Sequence, residues 1–313
     1  MATFEVTKNQ KFLLTSEFRN FPLTFVNGLR RILLSQIPIV VFKNVEIITN
    51  TSQMPYEMLK HRVELLPVNV SPEDTQIIKN ASIHLEKNTK DSVEITTNDF
   101  TIKDGRDNLI MKDRDLGTPL LFLRLNPNES IHLTAKLALE KGSQVCTAAM
   151  SYHLDAQRVE NERKLWVEKG EDPRIFDNFY YQKYYSIDDI GRPNWIDLQV
   201  ESVGVLTSQD IMKYAVKELR SILNEWFSQA VDNISKEGEK TYNIKLNIGG
   251  HTVGALLQEV IYHSGAQFVS YDIPHPLRPT LVLRFVTEKD PVKLLKEINE
   301  TIEEYCQIVE KSL

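Results

Sequence analysis

The sequence predicts an α+β protein in which two related modules pair with each other inside one chain, with a small, mainly β domain inserted into the first module. Apolar residues alternate with a period of two in some runs and recur at three-and-four spacing in others, which indicates strands and helices respectively. The order strand, helix, strand occurs near the beginning of the chain and returns after residue 241. Residues 51–144 instead form short runs broken by Pro, Gly and Asn, which is typical of a separate small domain.

The first module is predicted to occupy residues 1–50 and 145–232. Residues 4–14 alternate as one or two strands, and Pro22 stands where the first turn of a helix is expected. The apolar stripe of that helix contains Phe25, Leu29 and Leu33, and Pro38 ends it. A β-branched run at 40–48 then predicts a strand.

The module resumes after the inserted domain with predicted strands at 145–154 and 195–205. The charged, Tyr-rich residues 155–192 between them lack clean periodicity and are interpreted as a surface loop or a short irregular helix. Residues 207–210, with the sequence TSQD, resemble a capping box and predict a long helix that ends before a polar stretch.

Residues 233–241 are predicted to be a linker, because they are polar and contain Gly238. The second module, 242–313, has predicted strands at 242–248, 267–273 and 281–287 and a helix at 252–264. Its last helix begins at Asp290-Pro291 and repeats apolar residues at alternating steps of three and four, a pattern that favours packing on a partner helix.

An offset of 228 residues superimposes Thr252 on Thr24 and brings the helices of the two modules into register. Two such modules can pair their apolar helical faces about a pseudo-two-fold axis, which predicts an intramolecular pseudo-dimer. The residues expected in these dimerisation helices are Phe25, Leu29, Leu33, Leu256, Leu257, Val260, Leu295, Ile298 and Ile302. Arg30-Arg31 aligns with Gln258-Glu259, so the two faces differ in charge. The arginine pair suits docking onto a larger protein, and a solvated helix edge is the alternative interpretation.

The composition excludes several classes of function. The formal net charge is −6, which disfavours direct binding of a nucleic-acid backbone, and two Cys residues cannot assemble a disulfide framework or a thiolate metal site. No apolar stretch approaches the roughly 20 residues that span a bilayer, and the first ten residues do not resemble a signal peptide. We therefore expect an intracellular protein without membrane contact.

The sequence predicts no catalytic, cofactor-binding or metal-binding residues. The closest carboxylate sets, Asp113 with Asp115 and Asp188 with Asp189, stand in polar, loop-like surroundings and are interpreted as solvated surface groups. The seven His residues show no metal-ligand spacing, and His275 between two prolines is expected to be a turn residue. An enzyme acting alone consequently has no residue set to support it.

Two longer motifs resemble a known family. The segment FPLTFVNGLRRILLSQIPIVVFKNVEI, followed by NTSQMPYEMLKHRVELLPV, resembles the signature of the alpha-like third-largest subunit of archaeal and eukaryotic RNA polymerases. The tail, with His-Thr-x-Gly-x-Leu-Leu at 251–257 and Tyr-x-x-Pro-His-Pro at 271–276, resembles the small eleventh-subunit family. Together the resemblances cover nearly the whole chain, and a fusion of the two is similar to what large DNA viruses of eukaryotes encode.

The resemblance implies a non-catalytic assembly platform within a nucleotidyltransferase complex, a DNA-directed RNA polymerase that carries out transcription. It implies docking of the largest and second-largest subunits, and contact with small tenth- and twelfth-subunit-like polypeptides. Asn27, Arg30 and Arg31 would contact the second-largest subunit, and His61, Arg62 and Pro67 would shape the adjoining surface. DNA and RNA would be reached only through the complex. The Cys-rich loop of many cellular third subunits has no counterpart here.

A second hypothesis keeps the fold but not the polymerase. A stand-alone protein-interaction scaffold should be stable and functional by itself, whereas an assembly platform should seek partners through an apolar, Arg-flanked face. For a viral source the expected location is the host cytoplasm or nucleus, with packaging in the virion as a further alternative.

Overall fold

The computed structural model describes residues 2–142 and 144–313. The strands are β1 Thr3–Gln10, β2 Leu13–Arg19, β3 Pro38–Asn50, β4 Ser82–Asn88, β5 Val93–Thr96, β6 Thr101–Lys103, β7 Leu121–Leu125, β8 Ser130–Lys141, β9 Cys146–Tyr152, β10 Trp195–Ser202, β11 Ile234–Lys236, β12 Thr241–Leu246, β13 Phe268–Asp272 and β14 Leu281–Val286. The helices are α1 Leu23–Ser35, α2 Tyr56–Glu64, α3 Thr75–Asn80, α4 Ala156–Glu168, α5 Pro173–Ile175, α6 Ser208–Ala230, α7 Gly250–His263 and α8 Pro291–Ser312.

The predicted elements of the two modules occur with boundaries shifted by a few residues. Helix α1 ends three residues before Pro38, and Asp290 caps α8 by accepting a hydrogen bond from the Lys293 amide at 2.9 Å. Within the described residues, no helix has both the length and the apolar character needed to cross a membrane.

The interpretation of residues 155–192 as a loop or a short irregular helix was wrong in one part. Residues 156–168 form α4, a regular helix of 13 residues capped by the Asp155 carboxylate on the Arg158 amide at 3.0 Å. None of its residues is buried, so no apolar stripe marks it in the sequence. Its capping residue was the available signal.

The chain divides into two compact units, of which the second comprises residues 34–147 and 202–207. Its antiparallel sheet has the order β3-β8-β4-β6, and β5 pairs with β7. Strands β3 and β8 are antiparallel and pair from Pro38 opposite Lys141 to Asn50 opposite Ile131. The chain therefore enters this unit along β3 and leaves it along the neighbouring strand β8. Phe42, Ile83 and Leu133 are fully buried in a single apolar core. This unit therefore has an apolar core of its own.

The first unit, residues 1–33, 148–201 and 208–313, contains two four-stranded antiparallel sheets with the orders β1-β2-β10-β9 and β11-β12-β14-β13. Residues 233–241, predicted to be a linker, include β11, which forms a hairpin with β12 through the pair Lys236 opposite Tyr242. The segment between the modules is thus part of the second sheet.

The long helices of the first unit pack across its two sheets. Helix α6 follows the first sheet in the chain but contacts β12 of the second sheet as well as β1 and β2. Helix α8 follows the second sheet but contacts β1 of the first sheet, and it also packs on α6 and α7. Trp226 of α6 and Ile302 of α8 are almost completely buried. Each sheet consequently depends on a helix from the other half of the chain.

We expect a chain ending at residue 232 to be insoluble or partly unfolded when produced alone. Removal of the second module exposes the apolar face of α6 and takes α8 off β1, and each large apolar side chain that becomes exposed loses about 1.5–3 kcal/mol of burial free energy. Co-production of residues 233–313 as a second polypeptide should restore a soluble 1:1 complex, measured by size-exclusion chromatography.

The matched control is the same pair of polypeptides with Ile298→Asp in the shorter one, which places a charge at a buried position of α8. This control should not restore solubility. A fragment 1–232 that is monomeric, soluble and cooperatively unfolding by itself contradicts the proposed mutual dependence.

Both cysteines are buried, and burial raises the pKa of each thiol, Cys146 and Cys306, to about 12. At pH 8 only about one molecule in 10⁴ then carries a thiolate at either position, and the thiolate is the reactive form. We expect iodoacetamide at pH 8 to leave both residues unmodified in the native chain and to modify both in urea, as measured by mass spectrometry. Rapid labelling of the native chain would show that one of the thiols is accessible.

Candidate assembly interface

Helices α1 and α7 lie against each other within the first unit. The position that a Cβ atom would take on Gly28 is 3.6 Å from the Thr252 methyl carbon, an ordinary van der Waals contact. The backbone of α1 at Gly28 therefore lies close to the Thr252 side chain of α7.

Two pairs of polar side chains join these helices. The Glu259 carboxylate accepts from the Thr24 amide at 3.0 Å and from the Thr24 hydroxyl at 2.5 Å. The Arg31 Nε donates to the Thr252 hydroxyl at 2.9 Å. The offset of 228 residues carries Thr24 to Thr252 and Arg31 to Glu259. The two pairs are therefore the same contact made in both directions, as in a two-fold interface.

The two contacts differ because a helix N-terminus favours negative charge. Thr24 is in the first turn of α1, where the amide has no partner within the helix, so a carboxylate caps it and is favoured by the helix dipole. Thr252 is in the first turn of α7, and a cation is disfavoured there. Arg31 donates to the hydroxyl oxygen of Thr252, which is a neutral acceptor.

An aromatic cluster extends the interface to α8. The Tyr305 ring lies 5.2 Å from Phe21 and 5.6 Å from Phe25, measured between ring centroids. Burial raises the pKa of the Tyr305 hydroxyl, and the nearby Glu259 and Glu304 carboxylates raise it further. Tyr305 therefore stays neutral in this cluster at physiological pH.

Helices α6 and α8 are joined by one arginine. The Arg220 guanidinium donates from Nε to Glu303 at 2.8 Å and from Nη1 and Nη2 to Glu310 at 2.8 and 3.0 Å. The hydrogen bonds to Glu310 are the main reason why the pKa of Arg220 lies above its usual range. A bidentate pair fixes the rotation of α8 about its own axis, because both carboxylate oxygens must meet the fork.

The predicted dimerisation residues have one property in common, which is that all are buried. They are Phe25, Leu29, Leu33, Leu256, Leu257, Val260, Leu295, Ile298 and Ile302.

The predicted docking residues of α1 already make hydrogen bonds within the chain. Arg30 Nε donates to the Asn27 side chain at 3.1 Å, and both residues are half-buried. Arg31 is exposed and bonded to Thr252. The sequence comparison had already aligned Arg31 with Glu259 and Thr24 with Thr252, and that alignment was the available signal for the bond.

The other predicted interface residues belong to the second unit. His61 and Arg62 are exposed in the last turn of α2. Arg62 donates to the Leu121 carbonyl at 3.2 Å, and the Pro67 carbonyl accepts from the Met111 amide at 2.9 Å. These bonds hold the end of α2 on its own unit.

The carboxylate sets named from the sequence shape loops. Asp113 accepts from the amides of Asp115 and Leu116 at 2.9 and 2.7 Å, and Asp188 accepts from the amides of Ile190 and Arg192 at 3.0 and 2.7 Å. In the same way, His275 Nδ1 accepts from the Leu277 amide at 3.1 Å. Such carboxylates serve as turn acceptors.

Comparison with known families matches both halves of the chain. Residues 15–223 match one model of the RNA polymerase Rpb3/Rpb11 dimerisation domain, and residues 241–312 match a second model with the same description. The matched ranges contain α1 and α7 respectively. The two helices that contact each other thus come from two separate matches to one type of domain.

Several individual proteins are similar to the chain. The DNA-directed RNA polymerase II subunit RPB3 of Schizosaccharomyces pombe is 28% identical over 275 residues, which is 74% of this chain and 86% of that protein. The DNA-directed RNA polymerase subunit Rpo3 of Pyrobaculum aerophilum is 27% identical over 166 residues, which is 49% of this chain and 63% of that protein. The DNA-directed RNA polymerases I and III subunit rpac1 of Dictyostelium discoideum is 46% identical over 46 residues, 15% of this chain and 13% of that protein.

We expect Glu259→Ala to lower the free energy of unfolding by about 1–2 kcal/mol, because the substitution removes two hydrogen bonds and the acceptor for an amide in the first turn of α1. Urea denaturation followed by tryptophan fluorescence measures this change.

Arg31→Ala is the matched comparison, since it removes the other half of the reciprocal contact. Arg31 is exposed and makes a bond to a neutral hydroxyl, so its loss should cost less than about 1 kcal/mol. Equal effects of the two substitutions would contradict the assigned difference between the two contacts.

Proposed function

This chain belongs to the RNA polymerase Rpb3/Rpb11 dimerisation-domain family, and we propose that its two domains of this type form an intramolecular pseudo-dimer. The chain is a non-catalytic assembly subunit of a DNA-directed RNA polymerase, in which it supports DNA-templated transcription. In our proposal the first dimerisation domain comprises 1–50 and 145–232, interrupted by an inserted domain at 51–144. The second domain comprises 242–313, after a connecting segment at 233–241.

The reciprocal contact between α1 and α7 carries the pseudo-dimer proposal. Thr24 with Glu259 and Thr252 with Arg31 are related by the offset that superimposes the two modules. Two domains that merely shared a fold would have no reason to bond through equivalent positions in both directions. The packing of α6 on β12 and of α8 on β1 adds a second reciprocal relation.

We propose that the pseudo-dimer is a platform for the largest and second-largest polymerase subunits. The α1 edge with Asn27, Arg30 and Arg31 is the proposed contact for the second-largest subunit. The Asn27 bond engages Arg30 through Nε, which holds the side chain in place, and a guanidinium has five N–H donors in a rigid fork. A pre-positioned arginine loses less side-chain entropy when a partner carboxylate or carbonyl group binds it.

In the second unit, His61, Arg62 and Pro67 are the proposed adjoining surface. Small tenth- and twelfth-subunit-like polypeptides are further proposed partners, and DNA and RNA are reached only through the complex, in keeping with the net charge of −6. A viral source is our proposal from the presence of two dimerisation domains in one chain. On that proposal the chain acts in the host cytoplasm or nucleus, or is packaged in the virion.

We expect affinity purification of the tagged chain from its native source to recover two very large subunits together with promoter-independent RNA synthesis. Mass spectrometry identifies the subunits, and incorporation of labelled nucleotides measures the activity. A chain recovered alone, or a complex that makes no RNA, would instead indicate a stand-alone scaffold.

We expect Arg30→Ala/Arg31→Ala to reduce recovery of the second-largest subunit at least about ten-fold, because two charged contacts are lost from the proposed docking edge. The variant Arg31→Glu separates docking from folding. A carboxylate at this position can accept from Thr252 as Glu259 does from Thr24, so the fold should be retained while docking is weakened. Unchanged co-assembly of both variants with the large subunits would show that this edge is not the contact.

A further inference from the structure

The exposed face of the first sheet carries a row of carboxylates. Glu17 of β2 lies directly opposite Asp197 of β10, and Glu5 of β1 lies opposite Glu17 on the other side. Neighbouring positions on β2 and β10, such as Phe18 and Ile196, point into the core and are fully buried. The row therefore lies on the face that turns away from the core.

Like charges directly opposite each other on adjacent strands destabilise a sheet, so this row needs compensation by cations. Arg19 lies 3.0 Å from the Glu17 carboxylate. His153, which follows β9, places its Nδ1 atom 2.9 and 3.0 Å from the two oxygens of Asp197. An imidazole beside carboxylates differs from an arginine, because imidazole can also ligate a metal ion.

The three groups lie close together, and one pair of them, His153 and Asp197, has a separation that suits two ligands of a single ion. One ligand atom from each of Glu17, His153 and Asp197 can be chosen so that all lie within 4.8 Å of one another. Two ligands bound to one zinc ion at about 2.0–2.1 Å are roughly 2.9–3.4 Å apart for bond angles between 90° and the tetrahedral value. The separation of His153 Nδ1 from Asp197 falls in that range.

Trp195 holds two of the three groups in place. The His153 ring lies parallel to the Trp195 ring, at 3.7 Å between centroids and an angle of 6°. The indole Nε1 donates to Glu17 Oε2 at 3.1 Å, and the Arg19 bond ends on the same oxygen. An ion can then be bound through Glu17 Oε1. Hydrogen bonds of this kind, made to a ligand rather than to the ion, orient metal-binding carboxylates.

We propose that Glu17, His153 and Asp197 bind a divalent transition-metal ion of the zinc class. One nitrogen and two carboxylate ligands suit zinc, whereas magnesium binds oxygen ligands and retains its water. His153 and Asp197 are each 30% exposed and line a cleft of about 540 Å³, so an ion can enter and keep water in its remaining coordination positions. The role is structural, because the ion joins β2, β10 and the end of β9 across the exposed face.

The sequence pattern did not predict this site, and no metal-binding residues were expected from it. The ligands come from three places far apart in the chain, and a search for His and carboxylates at short spacing does not find them. Antiparallel pairing alone brings positions 17 and 197 together. This inference is independent of polymerase assembly, because it concerns one sheet of the chain.

Titration of the metal-stripped full chain with Zn²⁺ in a calorimeter tests the proposal. We expect one saturable site per chain, and no comparable uptake of Mg²⁺. Asp197→Asn and His153→Gln should each weaken Zn²⁺ binding by more than about ten-fold. Glu5→Gln is the matched control, since it removes the same charge from the same row without removing a ligand, and it should change the affinity by less than about three-fold.

Co²⁺ provides a second measurement, because its visible absorption reports a nitrogen and oxygen ligand set that the two ligand variants should lose. If Asp197→Asn fails to fold by circular dichroism, the His153→Gln result decides. The proposal is overturned by the absence of a saturable site at millimolar Zn²⁺, by equal affinities in the native chain and the ligand variants, or by an equal loss in Glu5→Gln.

Discussion

The structure depends on the contact between α1 and α7. These helices occupy equivalent positions in the two modules, but α1 carries Arg31 where α7 carries Glu259. Glu259 caps the first turn of α1, and Arg31 reaches the equivalent threonine of α7. Because the helix N-terminus favours the carboxylate and disfavours the guanidinium, the capping contact is the stronger of the two. Helices α6 and α8 each contact the sheet of the opposite half, α6 on β12 and α8 on β1. The pseudo-dimer that we propose agrees with this exchange of helices, because each half completes its core with a helix from the other half.

Much of the fold followed from hydrophobic periodicity, and the two modules show why. Helices α1, α7 and α8 each bury one continuous apolar stripe, and stripes of this kind are visible in a sequence. Helix α4 buries nothing and was interpreted as irregular for that reason. The short strand β11, Ile234–Lys236, was missed because Ile234 is its one large apolar residue and the residues around it are polar. A short sequence pattern shows which residues are buried, but it does not show which strands pair.

The site residues divide in the same way. The apolar members of the dimerisation helices are predictable, since they are the core. The hydrogen bonds between α1 and α7 can be predicted only when it is known that these two helices face each other. The repeat alignment identified the equivalent positions, but it did not show that they are in contact. The His153 cluster lay beyond sequence reasoning, because residues 17, 153 and 197 share a surface only through strand pairing. The arginines of α1 illustrate a further limit, since one residue can bond within the chain and also belong to a docking edge.

The β11–β12 hairpin follows α6 closely in the chain, so the connection between the two domains is short. A short connection affects how the two domains associate. Separate subunits associate by mass action and fall apart on dilution, whereas domains on one chain have a fixed effective concentration, which is in the millimolar range for short connections. The two domains of this chain are always present together in a 1:1 ratio, which does not depend on expression levels. In the proposed pseudo-dimer, pairing with an identical domain of a second chain has to compete with this fixed effective concentration.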